Sequence, residues 1–190
     1  MKRIRTFACI EIDGDLRKKM SQVSAKLSSA GADVKWVGEN NLHLTLKFLG
    51  NVDDTQIPKV ADAVKRIAGQ YEPFEFTIGG VGTFPEGGMP RVIWIGLDEP
   101  TRKLEKMYYA LDEALSPFAE KAEHRTFSPH ITIGRVNSSR GREGLLKAID
   151  ENRDADIGVQ AVEEITVMMS ELTREGPLYT PLSKAALSGG

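Results

Sequence analysis

The tetrapeptide His43-Leu44-Thr45-Leu46 returns as His130-Ile131-Thr132-Ile133, so two of the chain's three histidines share one His-apolar-Thr-apolar setting. In an extended strand alternate side chains share a face, so each motif turns its imidazole and hydroxyl one way and its two aliphatic groups the other. Both segments are thereby committed to strands with one polar face and one face in a core. With eleven threonines in 190 residues, chance would put one two places after both of these histidines in roughly one sequence in a hundred. A single motif is compatible with a solvated or cross-strand-paired His and Thr. The pair needs that explanation twice, whereas one shared site accounts for both.

Around these strands the spacing of apolar residues predicts mixed helices and strands. Ile4 to Ile12 reads as a central strand, and Leu16, Met20, Val23 and Leu27 as the buried stripe of a helix after the Asp13-Gly14 turn. Val34 to Val37 and Leu42 to Leu49 read as extended. Asp53 or Asp54 can cap a second helix carrying Ile57, Val60, Ala61, Val64, Ile67 and Ala68, with Gly69 as its stop. Phe74, Phe76 and Ile78 alternate as strand residues up to a break at Gly79-Gly80, and Arg91 to Leu97 is another β-rich run. Met107, Tyr108, Leu111, Leu115 and Phe118 form a helical stripe that Pro117 kinks or ends; these aromatics read as core, not as a base-stacking platform. Pro129 leads into the second motif strand, followed by a short helix over 141–149, a strand over 165–169, and an edge strand over 179–187 broken by Pro181. The motifs lie 130 − 43 = 87 residues apart, about half the chain, which suits an ancient duplication with pseudo-two-fold symmetry.

The whole chain, 1–190, fits a single domain of two intimately packed lobes with a sizeable core. At 41% hydrophobic and 27% charged residues with a net charge of −2, it is neither a disordered chain nor one that coats nucleic acid through a concentrated basic surface. Any nucleic-acid contact must be local. The lone Cys9, among Phe7, Ala8 and Ile10, cannot form an internal disulfide and reads as a buried packing residue, which suits a reducing cytoplasm. The opening MKRIRTFACIEIDGD has a basic flank, but Glu11 and Asp13 interrupt its apolar run, so it reads as a first strand and not a signal peptide. No run approaches the roughly 20 apolar residues needed to cross a bilayer, and no membrane is expected among the partners. The closing LSGG reads as a frayed tail.

If the two lobes face each other, the motif strands set two imidazoles and two hydroxyls around one cleft. Histidine's ordinary pKa near 6.5 lets one ring accept a proton while the other donates one, each role contributing about 10²- to 10⁴-fold, and the hydroxyls can donate to phosphate oxygens. That is a phosphodiester site with no task for a metal. Zinc needs further ligands, and the chain has no His-Glu-x-x-His and no Cys-x-x-Cys, although an unrecognised carboxylate ligand stays open. A Ser or Cys nucleophile with one His would leave the repeated Thr unexplained. Gly79-Gly80 and Gly87-Gly88 lack Walker A or dinucleotide spacing and read as turns. His124, among Lys121, Glu123 and Arg125, reads as surface. Lys47, Arg91, Arg125 and Arg135 could supply a basic lining; Arg135 is closest to a motif, but strict alternation puts it on the Ile131 face unless the strand ends or bulges near Gly134.

NLHLTLKFLG and FSPHITIGR, with RTFACIEID, VKWV, GGVGTFP, RVIWIGL and MMSEL along nearly the whole chain, resemble the RNA 2′,3′-cyclic phosphodiesterases of the two-histidine (2H) phosphoesterase superfamily, also labelled 2′-5′ RNA ligases. The resemblance implies an α+β, bilobal 2H phosphoesterase fold: two antiparallel sheets flanked by helices, with pseudo-two-fold symmetry and a central cleft. It implies hydrolysis of an RNA terminal 2′,3′-cyclic phosphate to a 2′-phosphomonoester without metal or other cofactor. Carried over, His43 is the proton donor to the departing 3′ oxygen, His130 the base acting on water, and Thr45 and Thr132 the phosphate holders; Arg135, the basic residue closest to a motif, is the further candidate substrate contact by its position and not by the resemblance. Expected partners are RNA ends carrying the cyclic phosphate, tRNA halves among them; the chain is expected to be a monomer, and some members also join 2′-5′ linkages. The contrasting reading is an RNA-end or nucleotide binding module without significant turnover.

Overall fold

The computed structural model describes residues 2–121 and 126–189. In chain order the elements are β1 (Arg3–Glu11), α1 (Gly14–Ser28), β2 (Val34–Trp36), β3 (His43–Asp53), α2 (Ile57–Ala68), β4 (Phe74–Phe84), β5 (Val92–Asp98), α3 (Lys103–Leu115), β6 (His130–Val136), α4 (Arg142–Glu151), β7 (Asp156–Val162), β8 (Glu164–Thr173) and β9 (Gly176–Ala186). Leu16, Met20, Val23 and Leu27 are all buried along α1. The Asp53 carboxylate accepts the Thr55 N–H at 3.2 Å and opens a short turn that feeds α2, which ends at Gly69. Pro117 falls in the tight turn that closes α3.

The strands form two antiparallel sheets, ordered β3-β1-β8-β9 and β2-β6-β5-β4-β7. Helices α2 and α3 cover the back of the first sheet, and α1 and α4 the back of the second. The lobes are therefore not sequence halves. In the first half, β1 and β3 lie in the first sheet, α1 crosses to the second sheet, and β4 pairs into it beside β5. The second half mirrors this, with β5 and β6 in the second sheet, α3 on the first sheet, and β8 paired beside β1. Order β3-β1-β8-β9 thus corresponds to β6-β5-β4-β7, which is the pseudo-two-fold relation suggested by the motif spacing.

Each sheet turns one face to its helices and the other to the cleft. Leu44, Leu46, Ile131 and Ile133 are at most 2% exposed, and burying each stabilises the fold by about 1.5–3 kcal/mol relative to leaving it in water. A one-residue slip would bury the imidazoles and expose all four, so the core fixes which way the motifs point.

Two elements differ from the sequence reading. β4 does not stop at Gly79-Gly80 but runs through to Phe84, with a bulge against both neighbouring strands; Gly80 has φ +72°, and a Cβ on Gly79 would sit 2.8 Å from the Ala155 carbonyl oxygen. The sequence reading has no strand at β7: it is an edge strand whose alternation is interrupted by Gly158 and which, among the described residues, pairs with β4 alone. The edge strand β9 carries Pro181 beside a bulge, the kind of place in a sheet where a residue without an N–H is tolerated.

Candidate active site

Both motif strands carry an extra residue at the fourth motif position. Along β1 and β3, Glu11 faces His43 and Cys9 faces Thr45; Leu46 is then skipped, so that Ala8 faces Lys47 and Phe7 faces Phe48. Along β5 and β6, Gly96 faces His130 and Trp94 faces Thr132; Ile133 is skipped, so that Ile93 faces Gly134 and Val92 faces Arg135. A bulge puts two successive residues on one side and reverses the alternation beyond it.

That reversal decides two candidates in opposite senses. Arg135 emerges exposed on the His130 and Thr132 face, and its charge acts on the Tyr179 hydroxyl beside His43. Lys47, expected in a basic lining, instead turns inward with Leu46: it is 4% exposed and its Nζ meets the Asp112 carboxylate of α3 at 2.5 Å. Phe48 takes the cleft-face place that alternation would have given Lys47, and the Arg5 guanidinium lies 4.8 Å from its ring centre. Arg91 is exposed just before β5. His124 and Arg125 lie outside the described residues.

The two imidazoles are held by the same device. His43 Nδ1 lies 2.7 Å from the Asn41 carbonyl and His130 Nδ1 lies 2.7 Å from the Ser128 carbonyl, each two residues back. A carbonyl can only accept, so Nδ1 carries hydrogen and Nε2 is left as the working nitrogen. His43 Nε2 is 3.0 Å from Thr45 Oγ1. β3 and β6 approach each other across the two sheets, which sets the two rings on opposing walls.

Their surroundings differ. His43 packs against Phe7 (4.9 Å between ring centres) and stands edge-on to Tyr179 (5.2 Å, 88°), and Met168 packs with Phe7 and Tyr179 and lines the same cavity as the imidazole. Burial there pushes the His43 pKa below its ordinary value, opposed by the Asn41 carbonyl and the Glu11 charge. Burial likewise raises the Tyr179 hydroxyl, while Arg5 and Arg135 pull it back. Among the described residues His130 touches one ring, Phe84, edge-on at 4.9 Å.

Beside His43 lies a cavity of about 100 Å³ lined in part by Glu11, Arg17 and Tyr179. Burial alone would raise the Glu11 carboxyl, but hydrogen bonds from Lys184 (2.7 Å) and Thr166 (2.9 Å) and the Lys184 charge hold it below the ordinary range. Glu164, also 2.7 Å from Lys184, completes a closed charge cluster under the first motif. Cys9 is buried, and desolvation, with Glu11 adding to it, raises its thiol pKa so far that it stays protonated. Among the described residues no three His, Cys, Asp or Glu side chains converge as metal ligands, and no helix is long and apolar enough to cross a membrane.

Sequence reasoning missed Phe7, Tyr179, Phe84 and Glu11, which surround the two imidazoles. For Phe7 and Glu11 the signal was present, since they alternate with Cys9 on the first strand; Tyr179 and Phe84 reach the histidines only through pairings that no local pattern shows.

Comparison with known proteins gives a consistent set of matches. The family model of the 2′-5′ RNA ligase superfamily matches residues 17–172. The RNA 2′,3′-cyclic phosphodiesterase of Thermotoga maritima is 38% identical over 188 residues, 98% of this chain and 97% of that protein. The enzyme of the same name from Methanothermobacter thermautotrophicus is 36% identical over 95% of this chain and 97% of its own. Among solved structures, Escherichia coli LigT in its apo form superposes with a TM-score of 0.80 at 27% identity, covering 99% of both chains. LigT complexed with 3′-AMP gives 0.78 at 26% identity, covering 98% of this chain and 99% of that one.

Proposed function

This chain belongs to the 2′-5′ RNA ligase superfamily, and from that premise we propose that it is an RNA 2′,3′-cyclic phosphodiesterase that opens the terminal cyclic phosphate to a 2′-phosphomonoester. The observation that carries the reading is the pair of carbonyl-anchored imidazoles on opposing walls, each two residues ahead of a threonine on the same cleft face. The names of its relatives and the nucleotide held by LigT support a substrate of this class.

In-line displacement at phosphorus needs the entering and leaving oxygens on opposite sides. Opposing walls supply that geometry: His130 Nε2 takes a proton from water on one side, and His43 Nε2 delivers a proton to the departing 3′ oxygen on the other. The bridge to the 2′ oxygen survives, so the phosphate remains there. Thr45 and Thr132 donate to the non-bridging oxygens as negative charge builds, and the Arg135 guanidinium neutralises part of it. The phosphodiester anion also favours the imidazolium form of His43 that the acid role requires. These groups leave a metal no step to perform. An RNA 5′-hydroxyl in place of water would join two ends through a 2′-5′ linkage by the same step.

The test is the product of a dinucleotide 2′,3′-cyclic phosphate, read by phosphorus NMR or chromatography. A 2′-phosphate end is expected almost exclusively, with loss of turnover in His43→Ala and His130→Ala variants that keep the native circular dichroism. A predominant 3′-phosphate, or full activity in either variant, would overturn the roles. Protection of the end without turnover in the unaltered protein would favour a binding module.

A further inference from the structure

We propose that Asn41 is a positioning residue for the proton donor: its side-chain amide ties the carbonyl that anchors His43 to the β8–β9 hairpin, so a segment from the far end of the chain fixes the tautomer and aim of the first imidazole. This rests on the phosphodiesterase reading and adds to it a residue outside both motifs.

The direction of a carbonyl is set by the torsions on either side of its planar peptide, ψ of its own residue and φ of the next. For the second motif those belong to Ser128 and Pro129. The proline ring locks its own φ and keeps Ser128 out of the helical region, so residue type alone stiffens the carbonyl that holds His130. For the first motif they belong to Asn41 and Leu42, whose residue types impose no such restriction. Asn41 ends the short turn Glu39–Asn41, and β3 starts only at His43, so the carbonyl belongs to no ladder. The turn closes on itself, with Asn41 N–H bonded to the Gly38 carbonyl at 2.8 Å and Leu42 N–H to that of Glu39 at 3.2 Å. Those bonds orient the carbonyl within the turn but not toward the cleft. The tie in that direction is the side chain: Nδ2 of the half-buried Asn41 donates to the Pro177 carbonyl of β9 at 3.0 Å.

The hairpin is itself part of the site. β1 and β8 separate β9 from β3, and three strand spacings of about 4.8 Å would hold the two about 14 Å apart in a flat sheet. Instead Tyr179, two residues past Pro177, stands edge-on to His43 at 5.2 Å. The end of the hairpin therefore bends back over the cleft face and holds the imidazole from two sides, through its own ring and through the carbonyl that Asn41 presents. That carbonyl also favours the imidazolium, against the burial around it. The other charged and titratable groups around the ring are Glu11 of β1 with its partner Lys184 of β9, Arg17 of α1, Tyr179 of β9, and His130 and Arg135 across the cleft on β6. A change at Asn41 alters none of them.

Long-range proton–nitrogen correlation NMR of the imidazoles reads the tautomer of each neutral histidine, with His130 as the internal control. In the unaltered protein both should carry hydrogen on Nδ1. In Asn41→Ala, and in Asn41→Leu, which resembles asparagine in shape but has no donor, His43 should show a mixture of tautomers while His130 keeps its own and the circular dichroism stays native. For a dinucleotide cyclic phosphate, kcat should fall roughly 10- to 100-fold with KM changed by no more than about twofold. The limb of the pH profile set by His43 should move to lower pH. An unchanged His43 tautomer in both variants, equal changes at the two histidines, or a loss confined to KM would overturn the tie. The tautomer is read without turnover, so a His43 tautomer that follows Asn41 in a protein that opens no cyclic phosphate would sink the enzyme reading and leave the tie standing.

Discussion

Lys47 separates the alternation of the sequence from the register of the fold, and a pair of substitutions tests which governs. Its ammonium is 2.5 Å from the Asp112 carboxylate, with side chains 3% and 24% exposed. Asp112→Ala leaves a buried cation without a counter-charge, a change that costs about 3–5 kcal/mol. The partial exposure of Asp112 lets water reach the site and places the expected cost near the lower end, about 3 kcal/mol. With a urea m-value of about 2 kcal/mol per molar for a domain of this size, the unfolding midpoint should fall by roughly 1.5 M. Lys47→Met removes charge and desolvation together and keeps the aliphatic stem, so it should shift stability by about 1 kcal/mol or less in either direction. Because Lys47 points away from the cleft, kcat/KM on a cyclic phosphate should be unchanged in the folded Lys47→Met protein. A tenfold loss of kcat/KM with unaltered unfolding would show that Lys47 binds phosphate after all and that the bulge at Leu46 does not persist in solution.

The pH dependence of kcat/KM reports the free protein, where burial holds the His43 pKa below 6.5. The limbs are macroscopic values of the histidine pair, so the one set by His43 should lie below 6.5 in kcat/KM and move upward in kcat, where the bound anion favours the imidazolium; limbs that all lie above 6.5 and coincide in the two profiles would contradict His43 as the acid. In stability the same lowered pKa means that the folded state binds the proton less readily than the unfolded state. The contribution is full above pH 6.5 and is lost as pH falls through the folded value, so His43→Asn should flatten the acid side of the midpoint-against-pH curve relative to the unaltered protein. Thr45→Ala and Thr132→Ala should each lower kcat by up to about 10²- to 10³-fold with the midpoint of unfolding retained, as expected for lost transition-state donors; changes confined to KM would place the hydroxyls in ground-state binding. Turnover should survive prolonged EDTA treatment, and activity lost to the chelator and restored by a divalent ion would reinstate a metal role.

What the sequence determined by itself was local and periodic. Alternation in His43-Leu44-Thr45-Leu46 and His130-Ile131-Thr132-Ile133 was enough to make strands with a polar face, because a side chain's direction in a strand follows from its neighbours in the chain. The 3.6-residue spacing of Leu16, Met20, Val23 and Leu27 likewise fixed a helix and its buried side. The carbonyl anchors on both imidazoles come from residues only two places back. Tertiary structure decided everything that depends on which strand lies alongside. The skipped residues Leu46 and Ile133 are defined only by pairing with β1 and β5, and they send Lys47 inward and Arg135 outward against the alternation. The low pKa of His43 depends on Phe7 and Tyr179, brought to the ring by strands from opposite ends of the chain. Periodicity is a property of one segment, whereas register and desolvation are properties of the contact between segments, and no single segment encodes them.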